Sequence, residues 1–271
     1  MLIAVDAEEN LDCTLTDKAK DIVEMAELFD DWPEKYDLWF ETPIGRLIKK
    51  YERDLVLEML RPEQGERILD AGCGTAVFTL DLVAGGAQVV GLELSLPMLL
   101  RAGRKLEGHL FHMVRGDMAK LPFAEDEFDK AVSVTAIEFI EDAKPAIAEL
   151  LRVTKPGGCV VVATLNSLSP WAARRKKKAK NRHSLFEHTF FRSPDQLKSL
   201  SPMEGAVKTA IHFQKDDDPE EAEKIEKDGQ AKGLETGAFA VVRWDKVHSS
   251  QSYQNSPPGS AELQSVTKTL Q

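Results

Sequence analysis

The chain has 271 residues, 42% hydrophobic and 30% charged, and 35 basic against 45 acidic side chains give a formal charge of −10. That length supports a full hydrophobic core unaided, and three scattered cysteines (13, 73 and 159) exclude a disulfide framework, an iron–sulfur cluster or a structural zinc site, so no metal is expected. The acidic balance disfavours nucleic acid as a partner; with no basic, then apolar leader and no apolar run of ~18 residues, the expectation is a cytoplasmic protein without stable membrane insertion.

Residues 1–32 read as an arm followed by an amphipathic helix over 17–31, with Ala19, Ile22, Val23, Ala26 and Phe29 at helical spacing. A second helix is predicted after Thr42, an N-cap with Pro43 in the first turn, and runs through Ile44, Leu47, Ile48, Tyr51, Leu55 and Leu60 to Pro62. From Arg67 onward strands alternate with helices: strand 67–71, helix 75–84, strand 88–93, helix 96–106, strands 111–115 and 129–134, helix 144–153, strand 159–165. CVVVATL at 159–165 is apolar throughout, as a strand covered on both faces must be. The rhythm predicts an α/β fold, a doubly wound, mostly parallel sheet. After Asn166 it breaks into a basic segment, a helix at 194–200, a strand at 206–213, an acidic helix at 218–231 and a strand at 236–244, the two strands closing the sheet as an antiparallel edge pair. The main domain is therefore expected over 33–245, with an insertion at 166–193 above the site, and the Ser- and Gln-rich residues 246–271 are expected to be a disordered tail.

The most informative stretch is Asp70-Ala71-Gly72-Cys73-Gly74, where the first strand gives way to a helix. Gly72 and Gly74 permit a tight turn and a close ligand approach. Glu93, 23 positions after Asp70 at the end of the next strand, can accept both hydroxyl protons of a ribose, and Asp117-Met118 follows the third strand. A dinucleotide fingerprint would want a third small residue where Val77 stands, and an acid before the first glycine suits a cationic ligand better than a pyrophosphate. The plainer readings are a helix N-terminal charge for Glu93 and a turn former for Asp117. Cys73 reads as a packing residue.

ILDAGCGTAVFT, VVGLELSLPML, RGDMAKLPFAEDEFDKAVS and ELLRVTKPGGCVVVATLN, in this order, resemble the motifs of the class I S-adenosylmethionine-dependent methyltransferases, type 11 group, which includes ubiquinone/menaquinone-type enzymes. The resemblance covers roughly residues 33–200. It implies a Rossmann-like sheet with two N-terminal lid helices, a transferase of EC class 2.1.1, S-adenosylmethionine as cofactor and S-adenosylhomocysteine as product. It places Gly72 and Gly74 against the methionine part, Glu93 on the ribose, Leu94 and Met98 on the adenine, Asp117 and Met118 at the adenine amine and ring, and Thr135 and Ala136 under the sulfonium. Ala76 stands where the family's third glycine is commonest.

Methyl transfer from a sulfonium asks mainly for alignment in a dry pocket, with a base for an acceptor that must lose a proton. Candidate catalytic groups are Glu138, which could instead cap the following helix, His188 or His183 in the insertion, and Tyr36 in the aromatic segment Tyr36–Pro43, which would cover the cofactor. The expected function is methylation of a small-molecule acceptor by a monomer or homodimer. The basic run 174–182 keeps an RNA methyltransferase as an alternative against a solvated helical face, and a non-catalytic cofactor-binding protein is a third reading.

Overall fold

The computed structural model describes residues 29–179 and 189–247. Seven strands form one sheet in the order β3-β2-β1-β4-β5-β7-β6: β1 Arg67–Ala71, β2 Gln88–Glu93, β3 Phe111–Arg115, β4 Phe128–Val134, β5 Thr154–Leu165, β6 Gly205–Ala210 and β7 Phe239–Asp245. The first five pair in parallel, and β7 runs antiparallel to both β5 and β6. The helices are α1 Pro33–Glu41, α2 Pro43–Leu60, α3 Thr79–Ala84, α4 Leu96–Lys105, α5 Lys144–Val153, α6 Pro170–Ala179, α7 Pro194–Lys198 and α8 Pro219–Ala231. No helix among the described residues is long and apolar enough to cross a membrane.

Strand pleating divides the core in two. Ile68, Val89, Val132, Val161 and Val241 join the cluster that includes α2, and Leu69, Val90, Ala131, Val160 and Val242 join the one that includes α5. Both faces are covered, which is why β5 reads as an unbroken apolar run. Thr42 caps α2 by accepting from the Gly45 N–H at 3.0 Å.

Several expectations shift. Tyr36–Glu41 is not a segment leading into a helix but part of α1, and the chain turns at Thr42 into α2. The helix expected from 75 begins at Thr79, because residues 74–78 are spent on the turn. Pro156-Gly157-Gly158 does not merely precede β5 but lies in it: the Gly157 N–H donates to the Lys246 carbonyl (2.6 Å) and the Lys246 N–H to that of Gly158 (2.9 Å). Lys246 Nζ also reaches Asp126 and the carbonyls of Leu151 and Thr154, so pairing continues one residue into the segment read as tail. The arm and most of the helix at 17–31, residues 180–188 and residues 248–271 lie outside the described residues.

Candidate active site

The carboxyl ends of β1, β2, β3 and β4 meet at one edge of the sheet, as in other doubly wound sheets where the strand order reverses. After β1 the N–H groups of Gly72 and Cys73 both donate to the Leu92 carbonyl, at 2.7 and 3.1 Å, pinning the turn to β2. Gly72 has φ +77°, and a Cβ there would stand 2.5 Å from Ala136 Cβ and 3.0 Å from Met118 Cε, so the loops after β3 and β4 close directly onto it. Gly74 has φ +53°, with no atom within 4 Å of where its Cβ would be. Ala76 also adopts a left-handed φ, +63°, while fully buried, so the departure from glycine keeps the turn at the cost of some strain.

Asp70 is buried and accepts from Thr79 Oγ1 at 2.6 Å, which ties β1 to the start of α3. Burial, assisted by Glu93, pushes its carboxyl up to about 6 despite that bond. Cys73 is buried beside β2, and burial drives its thiol well above the ordinary range, consistent with a packing role.

Glu93 is more committed than its position in the sequence implied. One carboxylate oxygen accepts from the N–H groups of Leu94 (2.8 Å) and Ser95 (2.9 Å), and the other from Gly74 (3.0 Å). Three of the roughly four acceptor positions of a carboxylate are used. Burial raises its pKa against these three bonds. Ser95 caps α4, placing Leu94 at the rim and Met98 buried in the first turn. Asp117 Oδ1 accepts from the Ala119 N–H at 2.8 Å, the turn-forming role, and Met118 packs beneath Gly72.

Helix α1 lies over this loop through Asp37, which accepts from Thr75 Oγ1 (2.6 Å), Arg101 Nε (2.6 Å) and Lys105 Nζ (2.8 Å). Burial would raise the Asp37 carboxyl, but these donors win and hold it below the usual range. Phe40 meets Phe78 edge-on at 6.1 Å, and Trp39 fits over Gly45, where a Cβ would collide with its ring. Burial, with Glu52, Glu138 and Asp37 nearby, raises the Tyr36 phenol, and the Thr135 side chain beside it opposes the shift. Thr135 has φ +49°, a strained conformation for a β-branched residue, held by its N–H donating to the Ala163 carbonyl at 2.9 Å.

Glu138 sits in a short 3-10 turn, Ile137–Phe139, 1% exposed, and accepts from Thr164 Oγ1 at 3.1 Å. It does not cap α5: burial pushes it up to about 7, with Thr164, Arg175 and Arg192 opposing. The turn is held by Arg192, whose terminal nitrogens donate to the carbonyls of Ile137, Phe190, Ile140 and Glu141. Glu52, unassigned from sequence, projects inward from α2 and is 5% exposed; burial pushes it up to about 8, with Arg175 opposing and Glu138 adding. Its signal was available, since it shares the α2 stripe with Ile48, Val56 and Met59. Arg175 corrects the reading of the basic run as a wholly solvated face: it is half-buried, lies 5.5 Å over the Trp171 ring and faces Glu52 and Glu138. Arg174 pairs with Asp216 at 3.1 Å. His183 and His188 lie outside the described residues.

Residues 69–162 match the family model described as a methyltransferase domain. A demethylmenaquinone methyltransferase of Beutenbergia cavernae is 35% identical over 153 residues, 56% of this chain and 62% of the relative. A malonyl-[acyl-carrier protein] O-methyltransferase of Erwinia pyrifoliae is 42% identical over 110 residues, 41% of each chain. The chain thus spans less than two thirds of the length of these curated relatives. The crystal structure of a SAM-dependent methyltransferase from Thermotoga maritima superposes with a TM-score of 0.64 at 23% identity, covering 82% of this chain and 99% of that one, a likeness of fold.

Proposed function

We propose that the chain is a class I methyltransferase of the type 11 group, which binds S-adenosylmethionine at the carboxyl ends of β1 to β4 and passes its methyl group to a small-molecule acceptor; the match of residues 69–162 to the methyltransferase-domain model supports this reading. The observation that carries the reading is the open space at Gly74, a cradle that a Cβ would enter, bordered by the Glu93 carboxylate with one acceptor position left. The donor set fits: the Asp70 and Glu93 carboxyls flank the loop, while Arg101 and Lys105 beside it are held by Asp37, which favours a cation over a phosphate.

When bound, S-adenosylmethionine supplies an electrophilic methyl group on a sulfonium that leaves as the neutral thioether S-adenosylhomocysteine. Gly72 and Gly74 hold the backbone where the methionine part would lie, Glu93 takes a ribose hydroxyl, and Leu94, Met98, Asp117 and Met118 form the adenine side. Thr135 and Ala136 close the floor at the end of β4. Tyr36, beside Thr135, and the other α1 aromatics exclude water, which strengthens every electrostatic contact inside. Glu138, buried and titrating near neutrality, holds or accepts a proton at its carboxyl. The proposal includes a diffusible acceptor in the cytoplasm. The relatives act, by their names, on demethylmenaquinone and on a malonyl carrier protein, and either acceptor class is compatible with the cofactor half.

Titration calorimetry with S-adenosylmethionine and with S-adenosylhomocysteine tests the reading. Saturable heat with both is expected; a folded protein that binds neither overturns it.

A further inference from the structure

The end of β6, helix α8 and the loop that leads from it into β7 meet at one imidazole. The His212 and Glu226 side chains are 3% and 0% exposed. Nδ1 of His212 stands 3.2 Å from Glu226 Oε2, and Nε2 stands 3.0 Å from the Leu234 carbonyl oxygen. Both ring nitrogens thus face oxygens that accept, whereas a neutral imidazole has one N–H to offer. The arrangement fits an imidazolium held between a carboxylate and a carbonyl. Glu226 has further donors, the His212 backbone N–H at 2.7 Å and Gln230 Nε2 at 2.8 Å. Helix α8 comes this close because Gly229 lies against the ring, where a Cβ would stand 2.3 Å from His212 Cγ. Just before the ring, Ile211 is buried with φ +67°, a strained conformation for a β-branched residue.

This junction carries the start of the segment that follows β5. Asn166 Nδ2 donates to the carbonyls of Glu235 and Gly237, each at 2.7 Å, and its backbone N–H donates to that of Ala238 at 2.9 Å. Trp171 Nε1, in α6, donates to the Phe213 carbonyl at 2.7 Å. The two backbone stretches that His212 joins, 211–213 and 234–237, therefore anchor residues 166–171. From there the Ser167 N–H donates to the Arg192 carbonyl at 3.0 Å, and Arg192 holds the turn that carries Glu138.

We propose that His212 is a protonation-dependent latch: as an imidazolium it ties the loop after α8 to the end of β6 and so seats residues 166–171, and as a neutral ring it lets both segments loosen. The latch goes beyond the methyl-transfer reading and does not depend on it. Solvent base takes the Nε2 proton, because the charged acceptor Glu226 keeps the one on Nδ1. The electron pair left on Nε2 then opposes the Leu234 carbonyl. Thr209 Oγ1, which donates to that carbonyl, lies 3.4 Å from Nε2 and can turn its O–H to the ring, so Leu234 loses both donors. Among the described residues the charged group facing the ring is Glu226 from α8. Thr209 from β6 and the Leu234 carbonyl are its uncharged polar neighbours, and Tyr51 from α2 lies against Phe213 in the field of Glu226. Burial lowers the ring's pKa, but Glu226 and the Leu234 carbonyl raise it overall, so the latch is closed below the ordinary 6.5 and opens as pH rises through the raised value.

The test uses the full chain without any ligand. Nitrogen-15 labelling of the six histidines follows the protonation of His212 by NMR. Its signal is assigned by its loss in His212→Gln or, should that variant not fold, by substituting the other histidines in turn. Hydrogen exchange across neutral and alkaline pH, corrected for intrinsic rates, reads local opening. Both ring nitrogens should be protonated on the acid side. Protection at 232–238 and at 166–171 should then fall about tenfold or more with the ring's own midpoint, while β1 and β4 stay protected. His212→Gln should show no step in either segment, and Asn166→Ala should keep the step at 232–238 and lose the one at 166–171. Four results in the parent chain overturn the proposal: one protonated nitrogen at acid pH, protection that ignores the ring's titration, a fall shared by β1 and β4, or a step at 232–238 without one at 166–171.

Discussion

The two glycines of the first turn look interchangeable in sequence and should behave differently when each is replaced by alanine. Gly72→Ala forces a side chain into φ +77° and sets its Cβ 2.5 Å from Ala136 Cβ, which moves only with its backbone. Left-handed strain costs about 1–2 kcal/mol and overpacking about 1–3 kcal/mol, of which the stiffer unfolded chain returns about 0.4–1 kcal/mol. The net loss is about 2–4 kcal/mol, or roughly 5–15 °C in melting temperature for a chain of this size. Gly74→Ala meets φ +53° and open space, so only the strain applies, about 0.5–1.5 kcal/mol and roughly 1–5 °C. Its Cβ points into the proposed cradle, and S-adenosylhomocysteine affinity should fall about tenfold or more, equivalent to ~1.4 kcal/mol. Melting curves and calorimetry on both variants decide the matter. A Gly72→Ala protein as stable as the parent would refute the packing argument, and a Gly74→Ala protein with parental affinity would refute the cradle.

Glu93→Ala should weaken S-adenosylhomocysteine by about 1.5–3 kcal/mol, roughly 10–150-fold, and also lower the melting temperature without ligand, because three backbone donors lose their acceptor; an unshifted melting curve would show that the carboxylate does not hold the loop. Asp37→Asn removes the anchor of α1 to Arg101 and Lys105, and hydrogen exchange should show α1 amides opening about 5–30-fold faster, more so at low salt; unchanged protection would mean that packing alone seats the helix. The buried His212–Glu226 pair gives a stability window. Burial lowers the His212 pKa, but Glu226 and the Leu234 carbonyl raise it overall, so its contribution is complete below the ordinary 6.5 and is lost as pH rises through the raised value. Burial raises Glu226, but His212 lowers it overall, so its contribution is present above the ordinary 4.5 and is lost as pH falls through the lowered value. Melting temperature against pH should therefore lose its alkaline limb in Glu226→Gln, and identical profiles would dismiss the pair as a stability element.

Local pattern was enough for the scaffold. The strands at 67–71, 88–93 and 111–115, the Thr42 cap and the glycine turn at a strand end each declare themselves within a few residues, because pleat, helical period and backbone sterics act over that range. Glu93 was legible as a strand-end acid, but its three bonds were not, since they depend on how the Gly74 loop returns to β2. The same holds for Asp37, whose partners Thr75, Arg101 and Lys105 are 38, 64 and 68 positions away. Glu52 interrupted an apolar stripe in plain view, yet what it faces depends on α2, α6 and the turn after β4 folding against one sheet. Period and propensity say which side of an element turns inward, and the sequence alone determined that much. Which charges meet there, and how far burial moves their protons, was decided only by assembly, because desolvation and Coulomb attraction depend on distances that exist only once the elements have packed.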